Sequence, residues 1–187
     1  MYTTSGTLLE RLRSRTDQAA WDRFVLIYTP FLYYCVRKFD LNEEDSADVV
    51  QDVFAQLLVK LPQFQYDTGG SFRAWLKTVT LNKCRERSRD RQQLPVGGSS
   101  PAVNDIAAES ELEALWESEY REHLVSQALK IMQAEFEPAT WRACWLYVVE
   151  SRPVSDVARE LGISTGSVYT YSSRVLRRLR QELPDLI

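Results

Sequence analysis

Apolar positions recur at steps of three and four along most of the chain, and no stretch alternates apolar with polar residues. That pattern predicts helices and no strands. Leu8, Leu9 and Leu12 mark one or two helical turns, and a long stripe follows from Trp21 through Phe24, Val25, Tyr28, Phe31, Leu32, Cys35 and Val36 to Phe39. Pro30 lies inside that stripe and predicts a kink or a fresh helix start. Asn42 is placed to cap a helix over 43–61, whose apolar stripe is Ala47, Val50, Phe54, Leu57, Leu58 and Leu61. Asp48, Gln51 and Asp52 then face outward, accompanied by Val49 and Val53. An outer face that is half acidic and half apolar suits a protein partner better than bulk water. Pro62 ends this helix, an aromatic loop holds Phe64, Tyr66 and Gly69-Gly70, and helix resumes from Phe72 to about Gln92.

Residues 94–110, LPVGGSSPAVNDIAAES, lose the periodicity and are rich in Pro, Gly, Ser and Ala. They predict a flexible interdomain linker. The stripe resumes at Trp116, Tyr120, Leu124, Ala128, Ile131 and Phe136, breaks at Glu137-Pro138, returns at Trp141, Cys144, Trp145 and Val148, and breaks again at Arg152-Pro153. The expected architecture is all-α: two small helical domains, residues 1–93 and 115–187, joined by an acidic linker over 94–114.

The last stretch has a more specific layout. Val154, Val157, Ala158 and Leu161 share one helical face, Gly162 stands where a left-handed residue is needed, and Ser164 or Thr165 can cap the next helix. That next helix carries Val168, Tyr171, Val175 and Leu179 on one side, with Arg174, Arg177, Arg178 and Arg180 among them. A helix, a tight turn and a basic second helix form the layout of a helix-turn-helix, whose second helix enters the DNA major groove. Two packed surface helices with a solvated basic end fit the same pattern.

The net charge of −3 over 187 residues looks wrong for a DNA binder until it is resolved along the chain. Acids dominate residues 40–61, whereas residues 71–93 hold Arg73, Lys77, Lys83, Arg85, Arg87, Arg89 and Arg91 against Glu86 and Asp90. Residues 94–118 hold five acids and no base. Segregation of this kind points to different partners for different faces. The aromatics Phe64, Tyr66, Phe72 and Trp75, followed by that basic run, suit stacking on exposed bases and tracking of phosphates. Phe72 and Trp75, three apart on one helix, equally suit a domain core. Asn82 sits amid the basic face, where its amide can reach a base edge or stay solvated.

Catalysis is not expected. No phosphate-binding glycine loop, no nucleophile with a histidine base and no metal-ligand cluster is evident, and Asp48 with Asp52 lacks a third ligand. Neither a cofactor nor a metal is implied. Cys35, Cys84 and Cys144, far apart and odd in number, fit reduced thiols. With no apolar run of membrane length and no apolar signal core, a cytoplasmic protein without a membrane partner is expected. His123 reads as an exposed helix residue.

Taken in order, DSADVVQDVFAQLL, LPQFQYDTGGSFRAWLKTVTLNKCRERSRDR and VARELGISTGSVYTYSSRVLRRLRQEL resemble bacterial RNA polymerase sigma factors. The resemblance is to the extracytoplasmic-function (ECF) branch of the sigma-70 family, which keeps regions 2 and 4. It implies a promoter-specificity subunit whose partners are the polymerase core (β′ clamp helices and β flap), promoter DNA and, as a regulator, an anti-sigma factor. By that resemblance Asp48, Val49, Gln51 and Asp52 dock on core. Phe64, Tyr66, Phe72, Trp75, Lys77, Asn82, Arg85 and Arg89 handle the −10 element, with Arg87 also on phosphates and one flipped base captured in the loop. Thr165, Ser167, Tyr169, Thr170, Arg174, Arg177 and Arg178 face the −35 element. Many relatives carry an arginine where this chain has Tyr169. The acids of the linker imply a segment that imitates nucleic acid inside the polymerase, and a plain solvated tether has the same composition. The rival expectation is a stand-alone helix-turn-helix regulator, which has no reason to carry the Asp48-x-x-Gln51-Asp52 pattern followed by an aromatic loop and a basic helix.

Overall fold

The computed structural model describes residues 7–63, 71–92 and 101–184, and the side chains at 91–92 and 101–105 are left aside. Its elements are α1 (Leu8–Arg11), α2 (Gln18–Val36), α3 (Glu43–Lys60), α4 (Phe72–Gln92), α5 (Pro101–Met132), α6 (Pro138–Cys144), α7 (Val154–Leu161) and α8 (Thr165–Glu182). The chain is all-α among the described residues, and none of its helices there is long and apolar enough to cross a membrane. It divides into two compact units. One is Glu10–Leu124; the other begins at Val125 and includes Leu8 and Leu9.

In the first unit, α2, α3 and α4 enclose an aromatic core. Phe24, Phe31 and Phe72 are essentially fully buried. Phe24 lies 5.9 Å from Phe54 and 6.0 Å from Phe72, both edge-on, the arrangement aromatic quadrupoles favour. The helix ends are set by short side chains. The Asp17 carboxylate accepts from the Ala20 N–H at 3.0 Å and is held by two 2.9 Å bonds from Arg11. Asn42 accepts from the Asp45 N–H at 2.7 Å, and Ser71 from the Ala74 N–H at 3.1 Å. Each satisfies an amide that the first helical turn leaves open. Pro30 lies within a single helix, Gln18–Val36, and starts no new one. The buried stripe of α3 also differs from expectation. Val49, Val50, Val53 and Leu57 are inside, whereas Leu58 is 40% and Val59 58% exposed. A rotation by about one residue separates the two stripes, since both satisfy a three-four spacing and only the neighbouring helices decide between them.

The largest difference concerns the expected linker. Residues 93–100 lie outside the described ones, but α5 starts at Pro101, and its course to Leu124 belongs to the first unit. Ala108, Leu112, Leu115, Trp116, Tyr120 and Leu124 are buried along one face. Trp116 packs edge-on at 5.0 Å from Phe31 and stacks at 5.4 Å on Tyr120. His123, expected on the surface, stacks at 5.2 Å on Tyr34. The boundaries drawn from composition, 94–114 and 115 onward, therefore differ from the packing. The apolar period in fact reaches back to Ala108, but Pro, Gly and Ser nearby mask it.

In the second unit, Leu146, Val157, Ala158 and Val168 form a core, with Tyr147, Val154, Leu161 and Ile163 packed around it. Glu160 joins Arg142 at 2.8 Å and Arg152 at 2.6 Å, and these hydrogen bonds hold its carboxyl below the usual range. Gly162 ends α7 at φ +64°, in the left-handed region, and Ser164 caps α8 by accepting from the Ser167 N–H at 3.0 Å. A Cβ at Gly162 meets nothing within 4 Å. Gly162→Ala is therefore expected to cost only backbone strain, about 1–2 kcal/mol. A thermal melt of the full chain checks this, and an unchanged midpoint would remove the turn's glycine requirement.

Candidate nucleic-acid interface

Three surfaces hold the residues singled out by the sequence. The first is the outer side of α3. Gln51 and Asp52 are exposed there, and so is Asp48. Asp48 is not free: Arg87 of α4 donates to its Oδ2 at 2.9 Å and to Asp45 Oδ1 at 2.9 Å. Val49 is 2% exposed and belongs to the core, so its expected place on the docking face is corrected. Arg87, expected on phosphates, is instead committed to fixing these two acids.

The second surface is α4 itself. Phe72 is fully buried against Phe24 and Tyr28, which corrects its placement on DNA. An aromatic at the first position of a helix that closes a bundle points inward, and stacking on a base would require opening the core. Trp75 is half-buried beside Phe72, at 5.9 Å. Phe64 and Tyr66 lie outside the described residues. Asn82 and Arg89 are exposed. Lys83 pairs with Glu86 at 2.7 Å, a hydrogen bond that raises its ammonium above its ordinary range.

Arg73, Lys77 and Arg85 occupy one stripe of α4, and each meets an acid of α5. Arg85 grips Glu109 in a two-pronged bond of 2.5 and 2.7 Å, the fork geometry that guanidinium and carboxylate share. That hydrogen bonding holds the Glu109 carboxyl below its ordinary range. Lys77 lies 3.0 Å from Glu113 and 3.5 Å from Glu117. Arg73 bonds Glu117 at 3.0 Å and the Trp116 carbonyl at 2.6 Å. Lys38, in the 3-10 turn that follows α2, adds a 3.0 Å pair with Glu111. Sequence reasoning missed this ladder, although four-residue spacing of the acids at 109, 113 and 117 matches Arg73 and Lys77 four apart on α4.

The third surface is the exposed side of α8. Tyr169, Thr170, Ser173, Arg174 and Arg177 line an open groove of about 400 Å³. Four of these come from the sequence-derived set, and Ser173 was missed. Tyr169 is 49% exposed, and its ring is propped edge-on at 5.5 Å by Tyr147. Thr165 is exposed at the helix start, and Ser167 is engaged with the Ser164 cap. Arg178 points elsewhere: it pairs with Glu135 at 3.4 Å and with the buried Glu182. It anchors α8, and its expected place on the −35 face is corrected. Cys35, Cys84 and Cys144 are all buried and free. Burial pushes the Cys84 thiol up to about 12 and raises the other two.

Residues 24–93, which carry the α3 acids and the α4 basic run, match the Sigma-70 region 2 family. The chain is also 24% identical over 174 residues to the ECF RNA polymerase sigma factor SigE of Mycolicibacterium smegmatis, covering 91% of this chain and 64% of SigE. It is 25% identical over 169 residues to the ECF RNA polymerase sigma factor SigM of Mycobacterium tuberculosis, covering 89% of this chain and 79% of SigM. Over most of its length this chain is thus similar to ECF sigma factors, and residues 24–93 carry the Sigma-70 region 2 match. A shorter stretch of 84 residues is 36% identical to the RNA polymerase sigma factor NccH of Alcaligenes xylosoxydans xylosoxydans, 44% of that protein's length. Alignments to SigE and NccH thus each span less than two thirds of the relative. The region 2 match ends at residue 93, so α5 lies beyond it. The region 2 match takes in α3, α4 and most of α2, and the helix-turn-helix of α7 and α8 lies outside it.

Proposed function

We propose that this chain is a promoter-specificity subunit of bacterial RNA polymerase, performing no chemistry itself. The observation that carries the reading is the combination in one sigma-70 region 2 of an exposed acidic face on α3 and a cationic stripe on α4, with a helix-turn-helix in the same chain. On this reading Gln51, Asp48 and Asp52 meet a basic, partly apolar surface of the core enzyme, aided by charge complementarity. Exposed Leu58 and Val59 add apolar area to that helix. The α4 stripe and exposed Arg89 follow phosphates of the opened strand, Trp75 offers a half-buried ring edge to a base, and Asn82 offers an amide. The groove on α8 takes duplex DNA. Tyr169, Thr170 and Ser173 approach base edges there, and Arg174 and Arg177 hold phosphates or a guanine.

The test is run-off transcription with sigma-free core polymerase over a promoter library. Promoter-specific transcripts that depend on this chain are the expected result. Their absence with folded protein would overturn the assignment, and duplex binding without core-dependent transcription would favour a stand-alone helix-turn-helix regulator.

A further inference from the structure

The three cations that line one stripe of α4 are the same groups that the functional reading assigns to DNA phosphates, and none of them faces open solvent alone. Glu109, Glu113 and Glu117 sit four residues apart on α5 and meet Arg85, Lys77 and Arg73 in antiparallel order. Four of the five acids between Asp105 and Glu117 are used in this way when the Lys38–Glu111 pair is included. The contact is also anchored by apolar burial, because Leu112, Trp116 and Tyr120 are essentially inaccessible beneath the same helix. A row of carboxylates at helical spacing presents anionic oxygens to a basic helix, as a phosphate backbone does.

We propose that α5 is an autoinhibitory strap: in the free protein its carboxylates occupy the phosphate-binding stripe of α4, and nucleic acid must displace them. The inference rests on the reading of α4 as a nucleic-acid surface. Individually the ion pairs are weak, being partly exposed and screened by salt. Their effect on binding is nevertheless direct, because each internal carboxylate competes for a cation that would otherwise release counterions from DNA. Trp116 and Tyr120 give the strap a fixed register, so the acids are delivered opposite their partners instead of sampling a free tether's volume.

The test uses the full chain and a fluorescein-labelled oligothymidylate of about 15 nucleotides, a sequence-tolerant probe of stacking and phosphate contact. Anisotropy titrations at low salt compare wild type with Glu109→Gln/Glu113→Gln/Glu117→Gln. Glutamine keeps helix propensity while removing charge. The control is Glu122→Gln/Glu137→Gln/Glu150→Gln, which removes the same charge from other exposed positions. The strap variant is expected to bind about tenfold more tightly with a steeper salt dependence, against about twofold for the control. Equal gains in the two variants would overturn the strap. Adding Arg85→Ala and Arg89→Ala to the strap variant is expected to erase the gain; if the gain persists, the reading of α4 is wrong and the proposal falls with it. Hydrogen exchange on wild type gives an answer even if the triple variant folds poorly. Amides 106–117 are expected to exchange faster when the oligonucleotide is added, and unchanged protection at saturation would overturn displacement.

Discussion

Trp116→Ala is expected to destabilise the first unit by about 3–5 kcal/mol, the range for removing a fully buried indole from a packed core. Trp116 is inaccessible to solvent, packs 5.0 Å from Phe31 and stacks on Tyr120. Its carbonyl also accepts the 2.6 Å bond from Arg73, so the cavity opens where α5 is pinned to α4. The location of the effect is as diagnostic as its size. Hydrogen exchange on the variant is expected to show lost protection in α2 and α4, with α7 and α8 spared. Chemical denaturation followed by circular dichroism gives the magnitude. If protection is lost in α7 and α8 instead, Trp116 belongs to the C-terminal unit, as a boundary at residue 115 requires. A change within about 0.5 kcal/mol would reduce α5 before Leu124 to a surface tether.

Asp52→Arg is expected to weaken binding to core polymerase by about a hundredfold, near 3 kcal/mol, while leaving helical content intact. Asp52 is exposed at the middle of α3, and a like charge facing a basic docking surface costs several times more than loss of a single rim pair. The structure makes Asp52 a cleaner probe than Asp48. Asp48 is bonded to Arg87 at 2.9 Å, so Asp48→Arg removes an internal ion pair and sets two cations side by side, mixing stability with docking. Arg87→Ala is a useful companion, since it leaves Asp45 and Asp48 in place and removes only their bonds to the guanidinium. Its expected effect on docking is smaller, of the order of tenfold, through lost positioning of Asp48. Fluorescence titration of labelled chain with core enzyme measures both. Wild-type affinity for Asp52→Arg would remove α3 from the docking surface.

Most helices were legible because their signals are local. The cap at Asn42, the stop at Pro62 and the left-handed Gly162 followed by Ser164 depend on a few adjacent residues, and the structure keeps each of them. The residues lining the groove on α8 share a face for the same reason: Tyr169 and Thr170 precede Arg174 by about one turn, and Arg174 precedes Arg177 by about one turn, on a helix whose opposite stripe is apolar. Errors arose where a helix had two possible inner faces. Val49 and Val53 satisfy the α3 period as well as Leu58 does, and Phe72 as an aromatic suits both a base and a core. Arg178 has the charge of its neighbours but points toward Glu135 and Glu182, which are distant and near in sequence respectively.

What the sequence by itself determined is the helical class, most of the helix ends, the charge segregation and the order of parts that resembles sigma-70 factors. These follow from periodicity, capping chemistry and motif spacing, all readable within one turn or one motif. Only the tertiary structure decided which faces are buried and which charges are spent internally. Arg87 is spent on Asp45 and Asp48, and Arg73, Lys77 and Arg85 are spent on the acids of α5. The partners of these ion pairs are 24 to 44 residues apart in sequence, a separation that no local pattern encodes. Whether a cation is a free binding group or already satisfied depends on which helix packs against it, and that is a property of the folded unit alone.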